Sequence, residues 1–181
     1  MTDRQSTLRP GDIVVALQLA IETNAAFAEL SATTGLSVGE CHNAVRRLSI
    51  SGLLGPGTRR PVRELLTRFL LHGVPHAFPA LIGPPSVGVP TAHSAPAFAG
   101  LVATEERFVW PDAEGTERGL ALVPLFPGAA RTARHNPALY DLLVIVDTLR
   151  VGHARERKAA EALLHEKLAA PDSTPPKSSD A

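Results

Sequence analysis

The sequence predicts a mostly helical α+β chain: an N-terminal helix-turn-helix with a short or missing wing, then a C-terminal part with a Pro-rich loop, a β-hairpin and two terminal helices. Three observations predict it. Residues 24–54, NAAFAELSATTGLSVGECHNAVRRLSISGLL, carry two helical patterns on either side of Gly35. Sixteen prolines and fourteen glycines argue against an all-helical bundle and place an irregular section in the middle. Asn136-Pro137 supplies a cap and a first-turn proline ahead of a strongly apolar segment, which opens a late helix. The implied division is a helix-turn-helix domain over 10–60, a regulatory and dimerisation part over 61–170, and a polar, disordered tail over 171–181.

Composition bounds the rest. Hydrophobic residues make up 44% of the chain with one Trp and one Tyr, so the interior is mostly Leu, Val and Ala. Net charge is zero, and by itself it leaves no nucleic-acid footprint, but its distribution is uneven. Six arginines fall between Val38 and Arg68 against Glu40 and Glu64, whereas Phe69 to Ala130 is acidic on balance. The lone cysteine, Cys41, excludes an internal disulfide and reads as a small core residue in a reducing compartment.

In chain order, residues 1–9 are polar and expected to fray. Pro10-Gly11-Asp12 starts the first helix with Asp12 as its cap, and Ile13 to Ile21 is apolar on nearly every side, so it must be covered all round. That run and Ala26-Phe27-Ala28 imitate a secretory leader, but Asp12, Gln18 and Glu22 speak against one, and no run approaches a membrane span. The expectation is a cytoplasmic protein without membrane contact. Asn24 caps the next helix, which carries Phe27 and Leu30 beneath the one that follows.

That following helix announces its own start. Ser37 and Glu40 have capping-box spacing, so the helix begins at about Val38. Cys41, Val45 and Leu48, with Leu36 just ahead, form its apolar face, and Gly52 stops it. The other face carries Val38, Gly39, His42, Asn43 and Arg46, flanked by Arg47 and Ser49. Asn pairs bidentately with adenine and Arg with guanine in the major groove, so Asn43 and Arg46 are assigned to bases and Arg47 to phosphate.

The order ELSATTGLS, VRRL and GLL resembles bacterial winged helix-turn-helix regulators of the MarR and IclR type over about a third of the chain. The resemblance implies that Ser37 to Arg47 is a recognition helix reading double-stranded DNA, that Leu53-Leu54 begins a wing, and that the protein represses by occupying a promoter as a homodimer. The wing departs from the pattern, because only Gly55 to Arg60 separates Leu54 from the next helical pattern. Arg59 and Arg60 would reach phosphate or the minor groove from that loop.

Beyond it, Pro61 reads as a first helical residue, followed by Val62, Leu65, Leu66, Phe69 and Leu70 on one face up to Gly73. Residues 74–100 read as an ordered loop over the core, anchored by Phe78, Leu81, Ile82, Val87, Val89 and Phe98. Arg107 to Pro111 and Gly119 to Pro124 flank a turn at Asp112 to Gly115 and read as a hairpin. The Asn136 helix runs through Leu149, and a charged helix follows from about His153 to Ala169, with Ala160, Leu163, Leu164 and Lys167 or Leu168 inward.

Catalytic signatures are missing from the sequence: it has no phosphate loop, no Gly-x-Ser-x-Gly elbow and no Cys-x-x-Cys. No cofactor and no enzymatic activity are expected. Two sites stay open: a ligand or partner pocket lined by His93, Ser94 and Trp110, and a zinc or nickel cluster of His72, His76 and His93, each of which more simply caps a helix or bonds a loop carbonyl. The competing functions are a helix-turn-helix adaptor or antitoxin-like partner protein, and a DNA-binding domain fused to a metal-dependent enzyme. A small-molecule or protein effector would act by changing the spacing of the two recognition helices.

Overall fold

The computed structural model describes residues 7–169, so residues 1–6 of the start expected to fray over 1–9, and the tail expected to be disordered over 171–181, lie outside the described residues. The chain is α+β and mostly helical. Helix α1 spans Pro10–Ile21, α2 Phe27–Thr34, α3 Val38–Ile50, α4 Arg63–His72 and the short α5 Val74–Ala77. Strands β1 (Ile82–Thr91), β2 (Phe108–Pro111) and β3 (Glu117–Leu122) follow, then α6 (Ala129–His135), α7 (Pro137–Val151) and α8 (Ala154–Ala169).

Helix α1 is buried on every side from Asp12 to Ala20, as an apolar run broken only by Gln18 demands. Its start differs from expectation. Pro10 is the first helical residue and Asp12 stands in the first turn, where its carboxylate accepts from Arg9 N at 2.8 Å. Likewise Ala26, and not Asn24, precedes α2, with the Glu29 carboxylate accepting from Ala26 N. The main hydrophobic core runs without a break from Ile13 and Leu17 of α1, through Leu30 and Leu48, to Leu142 and Ile145 of α7 and Leu164 of α8.

The wing exists in minimal form. Leu54 and Pro61 make a single antiparallel bridge, closed by Gly55 N to Arg60 O at 2.8 Å and Val62 N to Leu53 O at 2.9 Å. Pro61 therefore belongs to the bridge and α4 starts two residues later, at Arg63. The bridge tolerates a proline because both closing bonds are donated by other residues. Helix α4 buries Leu66, Thr67 and Leu70, whereas Leu65, expected inward, is 42% exposed.

The proline-rich middle holds a ten-residue strand in place of the expected continuous loop. β1 pairs antiparallel with β3, from Ile82 opposite Leu122 to Gly88 opposite Glu117, and with β2, from Gly88 opposite Pro111 to Thr91 opposite Phe108. β2 and β3 pair in parallel, Phe108 opposite Leu120, so they are not a hairpin and the three strands close into a small barrel. Phe108, Leu122 and Ala92 fill a separate apolar cluster there. Closure depends on glycine: a Cβ on Gly88 would collide with the Trp110 carbonyl, and one on Gly115 with the backbone of Gly88. Prolines 84, 85 and 90 hid the strand from the sequence, since proline normally argues against a paired strand.

Helix α7 is capped as expected, Asn136 Oδ1 accepting from Leu139 N at 3.1 Å. It carries a buried polar group that the apolar run concealed. Asp147 accepts from Arg150 Nη1 at 2.6 Å, Trp110 Nε1 at 2.7 Å and Thr91 Oγ1 at 2.9 Å. Arg150 in turn donates to the carbonyls of Phe78 at 2.8 Å and Pro79 at 3.2 Å. Burial pushes the Asp147 carboxyl above its ordinary range, opposed by Arg150, Thr91 and Trp110.

Candidate nucleic-acid interface

Three local devices fix α3. The chain leaves α2 through Gly35 in the left-handed region, φ 74°, a conformation a side chain would oppose. Ser37 Oγ accepts from Glu40 N at 3.2 Å while a Glu40 carboxylate oxygen accepts from Ser37 N at 2.8 Å, closing the capping box. The Ser37 hydroxyl, which lies 2.6 Å from the same carboxylate oxygen, and then the Ser37 amide hold the Glu40 carboxyl below its ordinary value. At the far end Leu53 N reaches Leu48 O at 3.0 Å and Gly52 N reaches Ser49 O at 3.1 Å, the paired bonds of a Schellman stop with Gly52 left-handed at φ 73°.

The buried face of α3 is Cys41, Ala44 and Leu48, with Val45 half-buried beside them. Ala44 takes the place the sequence pattern gave to Val45. Cys41 is fully buried, its thiol pushed up by burial, with Thr34 Oγ1 at 3.9 Å from its sulfur. A thiol so enclosed packs as a small core residue.

On the outer face Val38, Gly39, His42, Asn43 and Arg46 are exposed. Asn43 and Arg46 make no hydrogen bond or ion pair among the described residues, so their donors and acceptors are free for a ligand. A Cβ on Gly39 would meet nothing within 4 Å, which leaves the helix backbone open to close approach there. The His42 ring stacks on Phe27, centroids 3.6 Å apart. The other ring contact of Phe27 is Arg59, whose guanidinium carbon lies 4.8 Å from the ring centre. Arg59 also donates to Ala25 O at 2.7 Å, so it braces the wing loop against the segment leading into α2, whereas Arg60 is exposed and its guanidinium has no partner among the described residues.

Arg47 does not belong to the outer face. Its Nε and Nη2 bind the two carboxylate oxygens of Asp12 at 2.7 and 2.6 Å, and Asp12 is 1% exposed. The expected phosphate contact is thus corrected: the guanidinium is spent on a bidentate clamp between α1 and α3. Sequence reasoning gave Asp12 only a capping role and missed it as the partner of Arg47; its signal was an acid one step before a nine-residue, mostly apolar run.

The two other expected sites come apart. His93 and Ser94 line a cavity of about 320 Å³, but Trp110 is buried against Asp147 and the ring of Tyr140, away from it. Ser94 Oγ accepts from Phe108 N at 2.8 Å, and His93 Nε2 lies 3.2 Å from Glu106 O, the loop-carbonyl bond foreseen as the simpler reading. His72 lies in a groove between α4 and α8 instead, and His76 is exposed. Among the described residues no group of three His, Cys, Asp or Glu side chains is placed to hold a metal ion, so the cluster of His72, His76 and His93 is not formed. No described helix is long and apolar enough to cross a membrane.

Comparison of the chain with protein families, with curated proteins and with solved structures found no match. The reading of this surface therefore rests on its geometry and chemistry.

Proposed function

We propose that the protein is a sequence-specific, double-stranded-DNA-binding transcriptional regulator of the cytoplasm, acting as a homodimeric repressor. The observation that carries this reading is the outer face of α3, where Asn43 and Arg46 project with unpaired polar groups from a helix fixed at both ends and clamped from behind. Preorganised bidentate groups on a rigid helix suit the base edges of the major groove. Asn43 and Arg46 read bases, the Gly39 backbone lies nearest the groove floor, and Arg60 contacts phosphate from the loop. Two such helices related by two-fold symmetry would meet half-sites roughly 34 to 36 Å apart.

The test is binding of the purified protein to the DNA upstream of its own gene against a random duplex, at two salt concentrations. Tighter, salt-resistant binding to the upstream DNA is expected, because base contacts persist when counterion release is suppressed. Asn43→Ala should then lower the preference by about 1 to 3 kcal/mol at one base pair. Absence of binding to both duplexes overturns the reading and leaves α3, with Val38 and Ile50 exposed at its ends, as a protein-contact helix.

A further inference from the structure

The N-terminal end of α3 is flanked by two arginines that belong to neither helix of the helix-turn-helix. Arg131 comes from α6: its Nη2 lies against Gly35, in the place where a Cβ would stand, so the bare turn makes room for it. Gly35 precedes the Ser37 cap by two residues, at most about 7 Å of chain. Arg9 comes from the segment ahead of α1. Its amide donates to Asp12 Oδ2 at 2.8 Å, Asp12 is clamped to Arg47 of α3, and a Cβ on Gly11 would stand 3.5 Å from the Leu36 side chain. Residues 9–12 therefore lie along the same turn and helix end. The Ser37 hydroxyl and amide lower the Glu40 carboxyl most, and the Arg9 charge lowers it further, which sets that charge near the first turn of α3.

Other arginines of the fold are committed within it. Arg47 and Arg150 bind carboxylates, Arg134 ties α6 to Asp112 and Glu114, and Arg59 donates to a carbonyl. Arg9 and Arg131 are exposed, and their guanidinium groups have no hydrogen bond or ion pair among the described residues. Glu22 lines the cleft beside Arg131 without pairing with it among those residues. Packing Arg131 on the turn costs side-chain entropy that no partner there offsets. A helix seated in a major groove about 12 Å wide fills it, so groups that stand beside its end, and not on its outer face, meet the phosphates of the rim.

We propose that Arg9 and Arg131 are a phosphate clamp, gripping the DNA backbone on the rim of the groove that receives the N-terminal end of α3. The clamp rests on the DNA-binding reading and extends its interface to the start of the chain and to α6. Such contacts carry no sequence information; they fix the register in which Asn43 and Arg46 meet the bases. Because Arg134 ties α6 to the turn between β2 and β3, the C-terminal half itself takes part in holding the duplex.

The experiment is binding of the full chain to the upstream and random duplexes at several salt concentrations between about 50 and 200 mM, for the wild type and for Arg9→Gln, Arg131→Gln and Arg118→Gln. Arg9→Gln and Arg131→Gln should each flatten the slope of log K against log salt by about 0.9, on both duplexes alike, with the ratio between the duplexes unchanged. Their melting temperatures should hold, since both side chains are exposed. Arg118→Gln, the same loss of charge at an exposed position of β3, should leave the slope as it is. Wild-type slopes in Arg9→Gln and Arg131→Gln, or an equal flattening in Arg118→Gln, overturn the clamp and leave the regulator standing. Flattened slopes on two duplexes that the wild type binds equally well keep the clamp and sink the sequence-specific reading; absence of wild-type binding overturns both.

Discussion

Two buried aspartates, one in each half of the molecule, do different work. Asp12 joins neighbouring helices: one carboxylate takes both nitrogens of Arg47 and the Arg9 amide, and the result is a firm seat for α3. Asp147 joins a helix to irregular chain: it gathers Thr91 from β1, Trp110 from β2 and Arg150, which then anchors the carbonyls of the Phe78-Pro79 segment. The first region is built from locally capped helices and needs one clamp. The second is a small barrel rich in proline, which lacks N–H donors for ordinary strand pairing, and side-chain bonds to α7 supply part of what that backbone omits.

Breaking the second region should have the largest effect. Asp147→Ala leaves Arg150, only 4% exposed, without its carboxylate, and should cost about 3 to 5 kcal/mol in denaturant unfolding. A loss below about 1 kcal/mol would mean that the barrel holds to α7 by apolar packing alone. Next in size is Arg47→Ala. It strands a fully buried Asp12, and because Arg47 itself is 16% exposed the cost should be smaller, about 2 to 3 kcal/mol. The same variant sharpens the contrast between adjacent arginines: at a temperature where it is folded, its DNA salt slope should match the wild type, whereas Arg46→Ala should weaken binding without loss of stability.

The smallest effect concerns Tyr140, which holds the barrel edge by donating to Pro90 O at 2.6 Å. Burial, then the nearby Asp141 charge, pushes its hydroxyl up to about 12. Its folded value lies above the unfolded one of about 10, so its contribution is fully present below about pH 10 and is lost as pH rises toward 12. After allowance for solvent screening the loss should be about 1 to 2 kcal/mol. Tyr140 is the only tyrosine, so absorbance titration reads it directly. Tyr140→Phe should cost about 1 kcal/mol at neutral pH and flatten the alkaline loss of stability.

Much of the helix-turn-helix was legible because its signals are local. Ser37 and Glu40, Gly35, and Gly52 each act on backbone within a few residues of themselves, so spacing alone located α3 and its outward face. Asn136 placed α7 for the same reason. Helix α6 was not foreseen, because Ala129 to His135 is short and carries no cap or apolar stripe of its own.

The chain's own pattern therefore determined the α+β class, helix α3 with its exposed polar face and the late apolar helix, all of which follow from bonds between near neighbours. Tertiary structure alone decided that Arg47 faces inward and Arg46 outward, since the choice depends on Asp12, thirty-five residues away. It alone turned the proline-rich segment into the central strand and the apparent hairpin into parallel neighbours, because β2 and β3 both run antiparallel to β1 and so run parallel to each other. And it alone brought Arg131 of α6 against the turn at Gly35, a contact that depends on how α6 packs against α2 and leaves no trace in local sequence.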